Sequence, residues 1–329
     1  MQNSYRRLFF AAIVLSGAVV GTATHAVAQT VTLFPNTFPN GLYDFTKGPD
    51  GAVWFTRGRG KIGRITPSGA VTEFALSTAN DLAREITLGK DGALWFTEQS
   101  GRGKIGRITT AGVVTEFPIP TTYGTPEGIT SASDESLWFT EETANKIGQI
   151  SYFGRADEYP IPTRDSLPTS IIFGPDAALW FTEPRANKIG RITYFGQISE
   201  YLVPTPDSDL GGITRGPDGY VWFTETRAGK IGRISQRGQF TEYPLPRRDC
   251  QPTGIVTGPD GALWFTERYC ARIGRITTAG VITELRIPFN GNQPMPERII
   301  AGPDGALWFM ERGVPARMGR VVLSGPSSR

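Results

Sequence analysis

Histidine is almost absent from this chain: His25 is the only one in 329 residues. It lies in an expected signal peptide, residues 1–28. There Arg6 and Arg7 precede an apolar run from Leu8 to Val20, and Ala26-Val27-Ala28 supplies an A-x-A cleavage signal. A chain cleaved to begin at Gln29 has no histidine at all. That excludes histidine general bases, Ser-His and Cys-His nucleophile systems and histidine metal ligands together. Arg6-Arg7-Leu8-Phe9-Phe10 fits a twin-arginine signal as well as an ordinary one, so the export route stays open.

Long hydrophobic runs are also lacking. The run in the leader is too short for a permanent span, and no later segment approaches the required length. The expectation is an exported protein, periplasmic or secreted, with no membrane insertion. Cleavage removes two of the 34 basic residues and none of the 31 acidic ones, so the net charge falls from +3 to +1. No lysine or arginine cluster stands out, which argues against nucleic acid as a partner. Only two cysteines occur, Cys250 and Cys270. A disulfide between them, closing about 20 residues, suits an exported chain and would contribute roughly 2–4 kcal/mol. Helical periodicity is missing throughout the expected mature chain.

What is present is a repeat. All seven tryptophans occur in one phrase, each followed by Phe: Trp54, Trp95, Trp138, Trp180, Trp222, Trp264 and Trp308. Their spacing of 41 to 44 residues is that of a repeat architecture. The sixth copy reads Gly258-Pro259-Asp260-Gly261-Ala262-Leu263-Trp264-Phe265-Thr266-Glu267, then Arg272-Ile273-Gly274-Arg275-Ile276-Thr277, then Val281-Ile282-Thr283-Glu284-Leu285. Four short β-rich runs per unit, divided by Gly, Pro and Asp turns, make a propeller blade. The fold class is therefore all-β: a seven-bladed β-propeller of four-stranded antiparallel blades, one domain over residues 29–324 with a short tail at 325–329. The seventh unit lacks a fourth strand, and Val31 to Phe34 has the pattern to supply it. Closure of this kind removes an open sheet edge.

Residues found in every unit are most simply scaffold. The turn aspartates, Asp50 to Asp304, suit a tight turn in which Asp bonds local amides. The glycine of K-I-G-R, from Gly63 to Gly319, marks a close approach, and the expected visitor is the Trp indole. Glu stands three residues after Trp in six units, opposite a cation opening the third strand, which reads as a cross-strand ion pair.

Units such as Ala186-Asn187-Lys188-Ile189-Gly190-Arg191-Ile192-Thr193 resemble the virginiamycin B lyase family, and the resemblance runs from Val31 to about Leu323. It implies a seven-bladed propeller that linearises streptogramin B antibiotics by elimination across an ester bond, with magnesium. It also implies a site around the central opening, using the position eleven before each Trp: Tyr43, Arg84, Glu127, Thr169, Gly211, Thr253 and Glu297. Tyr43 matches the tyrosine of the family pattern. Thr253 and Glu297 stand where the family has catalytic histidines, and Glu311 is the nearest match to a further acid.

Three functions follow as expectations. The first is a monomeric, non-catalytic propeller binding a small molecule, peptide or glycan at Tyr43, Arg84, Glu127, Thr169, Thr253 and Glu297. The second is a lyase with Glu297 as base, assisted by Tyr43 and Glu311, with Mg2+ held by Glu127, Glu297 or Glu311. The third is a protein-interaction scaffold.

Overall fold

The computed structural model describes residues 29–78, 81–99, 101–289, 291–313 and 315–323, which form seven four-stranded antiparallel sheets. The expected leader with His25, and the tail at 325–329, lie outside the described residues. Six blades each use four consecutive strands. The seventh is ordered Gln29–Phe38, Ala316–Leu323, Leu307–Glu311, Pro296–Ala301, so the N-terminal strand closes the ring. That strand pairs Gln29–Leu33 with Leu323–Gly319, bulges, and pairs again at Thr37 and Phe38.

The Trp-Phe pair is explained by the pleat, because consecutive strand residues point to opposite faces. In the second strand of each blade, Trp faces the next blade and Phe the preceding one. Trp54 packs with Leu94 and Phe96 of blade two, and Trp95 with Leu137 and Phe139 of blade three. The series ends with Trp308 against Phe55 of blade one. All seven indoles are fully buried, and side chains of this size contribute roughly 1.5–3 kcal/mol each.

The same parity corrects one expectation. The visitor to the K-I-G-R glycine is Phe, not Trp: an added Cβ at Gly190 would fall inside the Phe181 ring, and the other six glycines repeat this. Gly190 lies directly opposite Phe181 in the sheet, so the two share a face, while Trp180 points away. The indole instead covers the glycine of the G-P-D turn, as Trp180 does at Gly174. In six blades its Nε1 donates to the turn aspartate, at 3.0 Å for Trp54 to Asp50 and 2.9 Å for Trp180 to Asp176, whereas Trp138 Nε1 makes no such bond. The aspartates thus tie indole to turn, beyond bonding local amides.

The expected Glu–cation pairs are also corrected. Glu141 does sit opposite Lys146 in register, but Lys146 turns outward to Glu158 of the fourth strand at 2.7 Å. Lys104–Glu116, Lys230–Glu242 and Arg272–Glu284 repeat this choice. The second-strand acids Glu98, Glu141, Glu183 and Glu267 are left fully buried, with neither carboxyl oxygen bonded to a donor. Burial, reinforced by the neighbouring fourth-strand carboxylate, pushes Glu141 and Glu183 up to about 8, and Glu225 and Glu267 up to about 7. These acids are therefore held largely as neutral carboxyls. Only Glu311 keeps its own cation, Arg317, at 3.1 Å.

Candidate functional site at the central opening

The first strand of each blade opens on the ring face, and a register irregularity sits there in every blade except the fourth. A bulge leaves extra residues unpaired and re-aims their side chains. In blades two, four, five and seven two successive residues line the opening: the expected position, and the next one along. The threonine of W-F-T-E holds this geometry. Thr97 Oγ1 accepts from the Glu85 amide at 3.1 Å and donates to the Glu127 carbonyl of the next blade at 2.7 Å. Thr56 and Thr140 make the corresponding ties to Arg84 and Thr169. Blade seven has Met310 at this place.

The charged residues gather on one side. Asn40, Tyr43, Arg84, Glu85, Glu127, Glu297 and Arg298 line a recess of about 370 Å³. Glu297, Tyr43, Arg84 and Glu127 come from consecutive blades and form one arc. Arg84 binds Glu127 through two nitrogens, at 2.8 and 2.7 Å, and stacks 5.2 Å above the Tyr43 ring. Gln99 adds a 2.5 Å bond to Glu127. Arg84 thus has two of its nitrogens already committed. Glu297 Oε1 accepts from Arg268 at 2.7 Å and from Arg312 at 3.2 Å.

Below this rim lies a second tier that the sequence reading missed: Asp44, Glu85 and Arg298. Arg298 Nη2 donates to Glu85 at 2.5 Å and its Nε lies 3.9 Å from Asp44. Burial pushes Glu85 up to about 7. Arg298 opposes the rise, while Asp44 and Glu127 add to it. Burial likewise raises Asp44. For Arg298 burial works against the charge, and Glu85 and Asp44 outweigh it, so the guanidinium stays protonated. A signal for this tier exists: ten residues before Trp the chain reads Asp44, Glu85, Gly128, Ser170, Gly212, Gly254 and Arg298. Charge appears there only in blades seven, one and two.

The opposite side is small and uncharged apart from its edges. Thr169, Ser170, Gly211, Gly212, Thr226 and Thr253 line a lobe of about 210 Å³ that shares Glu297 and Arg298 with the charged recess. Thr169 Oγ1 bonds Thr182 Oγ1 at 2.9 Å. Thr253 Oγ1 bonds Thr266 Oγ1 at 2.9 Å and donates to the Glu297 carbonyl at 3.0 Å. Glu311 lies apart, in the wall of a neighbouring cavity of about 520 Å³ with Thr37, Gln293 and Arg317.

Magnesium, implied by the family resemblance, does not fit the donors here. The recess carboxylates of Glu127, Glu297 and Glu85 each accept from a guanidinium. No three of the described recess acids bring ligand atoms within 4.8 Å of one another. Asp249 beside Cys250 and Cys270 offers no metal site either, since both sulfurs are joined in a disulfide.

Fold and opening together define a seven-bladed propeller with a two-lobed polar recess at the centre of one face. Residues 29–250 and 207–328 match the Virginiamycin B lyase family, and the chain belongs to that family. It is 36% identical to a protein solved as "Streptogramin B lyase structure", covering 90% of this chain and 98% of that one, with a TM-score of 0.83. Virginiamycin B lyase from Staphylococcus aureus is 37% identical over 91% of this chain and all of that one, at a TM-score of 0.83. A catalytically inactive histidine-to-alanine variant of that lyase, solved with quinupristin, aligns at a TM-score of 0.84. Virginiamycin B lyase of Bordetella bronchiseptica is 44% identical over 59 residues, which span only 20% of its length. No helix among the described residues is long and apolar enough to cross a membrane.

Proposed function

We propose that this chain is an exported binding protein, which holds a small polar ligand in the two-lobed recess without converting it. The observation that carries this reading is the state of Glu297. It occupies a position where the family pattern has a histidine, yet its Oε1 is committed to Arg268 and Arg312. The other such position is Thr253, whose hydroxyl is bonded within the scaffold. A general base must reach the proton it removes with a free lone pair and suitable basicity. Thr253 is a neutral hydroxyl already bonded, and one carboxylate oxygen of Glu297 is held by two guanidiniums.

The recess does have the parts of a recognition site: paired guanidiniums and carboxylates, the Tyr43 ring and a glycine-lined second lobe. Quinupristin, bound by the Staphylococcus aureus relative, is the first probe. Calorimetry should show quinupristin, or a smaller polar fragment of it, binding in a manner weakened by Arg84→Ala with Glu127→Ala. Binding untouched by that double substitution would remove the recess from consideration.

A second reading has one specific observation in its favour. Glu85 is a carboxyl brought to about 7 inside the recess, the range a general base for proton abstraction requires. On this reading the chain is a lyase with Glu85, not Glu297, as base. Linear quinupristin formed by the wild type and not by Glu85→Gln would establish it.

A further inference from the structure

Resting on the binding reading above, we propose that the ligand of the recess is a hydroxylated carboxylic acid of the sugar-acid type. Its carboxylate docks between Arg268 and Arg312, where the two lobes meet. Arg268 lines the small lobe, Arg312 lines the charged recess, and Glu297 and Arg298 line both. Arg268 Nη2 and Arg312 Nη1 donate to the same oxygen, Glu297 Oε1, at 2.7 and 3.2 Å. Two guanidiniums thus share one carboxylate. The neighbouring pair differs: Arg84 meets both oxygens of Glu127 through two nitrogens. One positive charge is left over at the junction, and a single carboxylate on the ligand restores two-for-two pairing.

The repeat supplies its own control. Four residues after Trp the chain has Gly58, Gln99, Glu142, Pro184 and Thr226 in blades one to five, then Arg268 and Arg312 in blades six and seven. A scaffold role would recur in every blade, whereas arginine stands here only in the two blades whose strands meet at Glu297. Both side chains keep donors for a ligand. Among the described residues, Arg268 Nε and Nη1 and Arg312 Nε and Nη2 have no hydrogen-bond partner. Asp209, the other acid of the small lobe, is exposed and pairs with no cation among the described residues, so water screens it.

The rest of the small lobe specifies what the carboxylate is attached to. Apart from Leu210 and its charged residues, the lobe is lined by hydroxyls and bare backbone: Thr169, Ser170, Thr226, Thr253, Gly211 and Gly212. Ser170 gives its amide to Thr182, while its Oγ has no partner among the described residues. The Thr169 and Thr253 hydroxyls are engaged with Thr182 and Thr266 but retain lone pairs that accept from ligand hydroxyls. An aliphatic or aromatic acid would cover these groups without meeting them, which costs affinity, whereas a polyhydroxylated acid pairs with them. A phosphate group carries about two negative charges at neutral pH and overshoots the one charge left at the junction.

The test is calorimetric titration of the purified protein with D-galacturonate and D-glucuronate, each against its neutral sugar, D-galactose or D-glucose. At least one acid should bind about 10- to 100-fold more tightly than its neutral counterpart, the range that one charged hydrogen-bonded contact provides. Arg312→Gln, at a side chain 62% exposed, should lose that preference and keep weak binding of the neutral sugar. Arg268→Gln should do the same, and Arg312→Gln alone gives the readout should Arg268→Gln fail to fold. Equal binding of acid and neutral sugar, a preference retained in the variants, or tighter binding of inorganic phosphate than of either acid would overturn the assignment and leave the recess reading in place. If no sugar binds, the assignment likewise falls, and quinupristin binding with its Arg84→Ala and Glu127→Ala control still decides the recess.

Discussion

The arc formed by blades seven, one, two and three differs most from the arc of blades four, five and six where the chain meets the central opening. Both arcs have the same Trp-to-Phe packing between blades and the same glycine beneath each Phe ring. At the opening, the first arc presents Glu297, Arg298, Tyr43, Arg84, Glu85 and Glu127, while the second presents Thr169, Ser170, Gly211, Gly212 and Thr253. The lesson is that a ring of equivalent blades does not make an equivalent ring of side chains. Specific chemistry has been placed on one side, and the scaffold that carries it is unchanged on the other.

The sharpest way to break this comparison is to remove the charge that spans the first arc. Arg298 reaches from blade seven to Glu85 of blade two. Arg298→Met should cost about 3–5 kcal/mol, because it leaves two buried acids without their counter-ion. Ser170→Ala in the other arc should be near neutral, and urea unfolding of both variants checks the contrast. A small effect of Arg298→Met would mean that the second tier is not a coupled unit.

Scaffold substitutions should show the opposite, with no distinction between arcs. Gly190→Val in blade four and Gly63→Val in blade one both push a methyl pair into a Phe ring. Each should destabilise by roughly 1–3 kcal/mol, since the close-packed ring cannot withdraw. A large difference between them, in the same unfolding experiment, would show that the blades are not mechanically equivalent.

A shared pH dependence should come next in size. Glu141, Glu183, Glu225 and Glu267 have folded values of about 7 to 8, above the ordinary 4.5. The folded state then binds more protons than the unfolded chain across that window, so stability is full below about pH 4.5 and declines as pH rises towards 8. Tm measured from pH 5 to 8 should fall steadily. Glu141→Gln, neutral at every pH, should flatten the slope by one group and melt no lower than wild type at pH 8. A Tm that rises over this range would mean the acids are ionised in the fold.

Much of this fold is written in the repeat. Seven Trp-Phe pairs give seven blades, and the missing strand after Leu323 points to its replacement near Val31. The site is less legible, for physical reasons. The sequence places Glu141 opposite Lys146 correctly, but the fourth-strand Glu158 competes for the same ammonium, and burial decides the outcome. Trp and Phe recur equally often, so counting cannot say which one covers the K-I-G-R glycine; pleat parity does. Asp44, Glu85 and Arg298 join the opening because the first strand bulges, which no composition rule reveals. Tyr43, Arg84, Glu127 and Glu297 were within reach because the family resemblance singles out the position eleven before Trp, where the units differ from one another.

The smallest expected effect is at a single tie between blades. Thr140→Val removes the hydroxyl that bonds the Gly128 amide and the Thr169 carbonyl, and should cost about 1–2 kcal/mol without altering the recess.

The most direct test of the central claim is to incubate the purified protein with quinupristin and magnesium and to separate cyclic from linear compound by chromatography with tandem mass spectrometry. A binding protein without a free base returns the cyclic compound unchanged over many hours. Steady accumulation of the linear form, abolished by Glu85→Gln or Glu297→Gln, would contradict that claim.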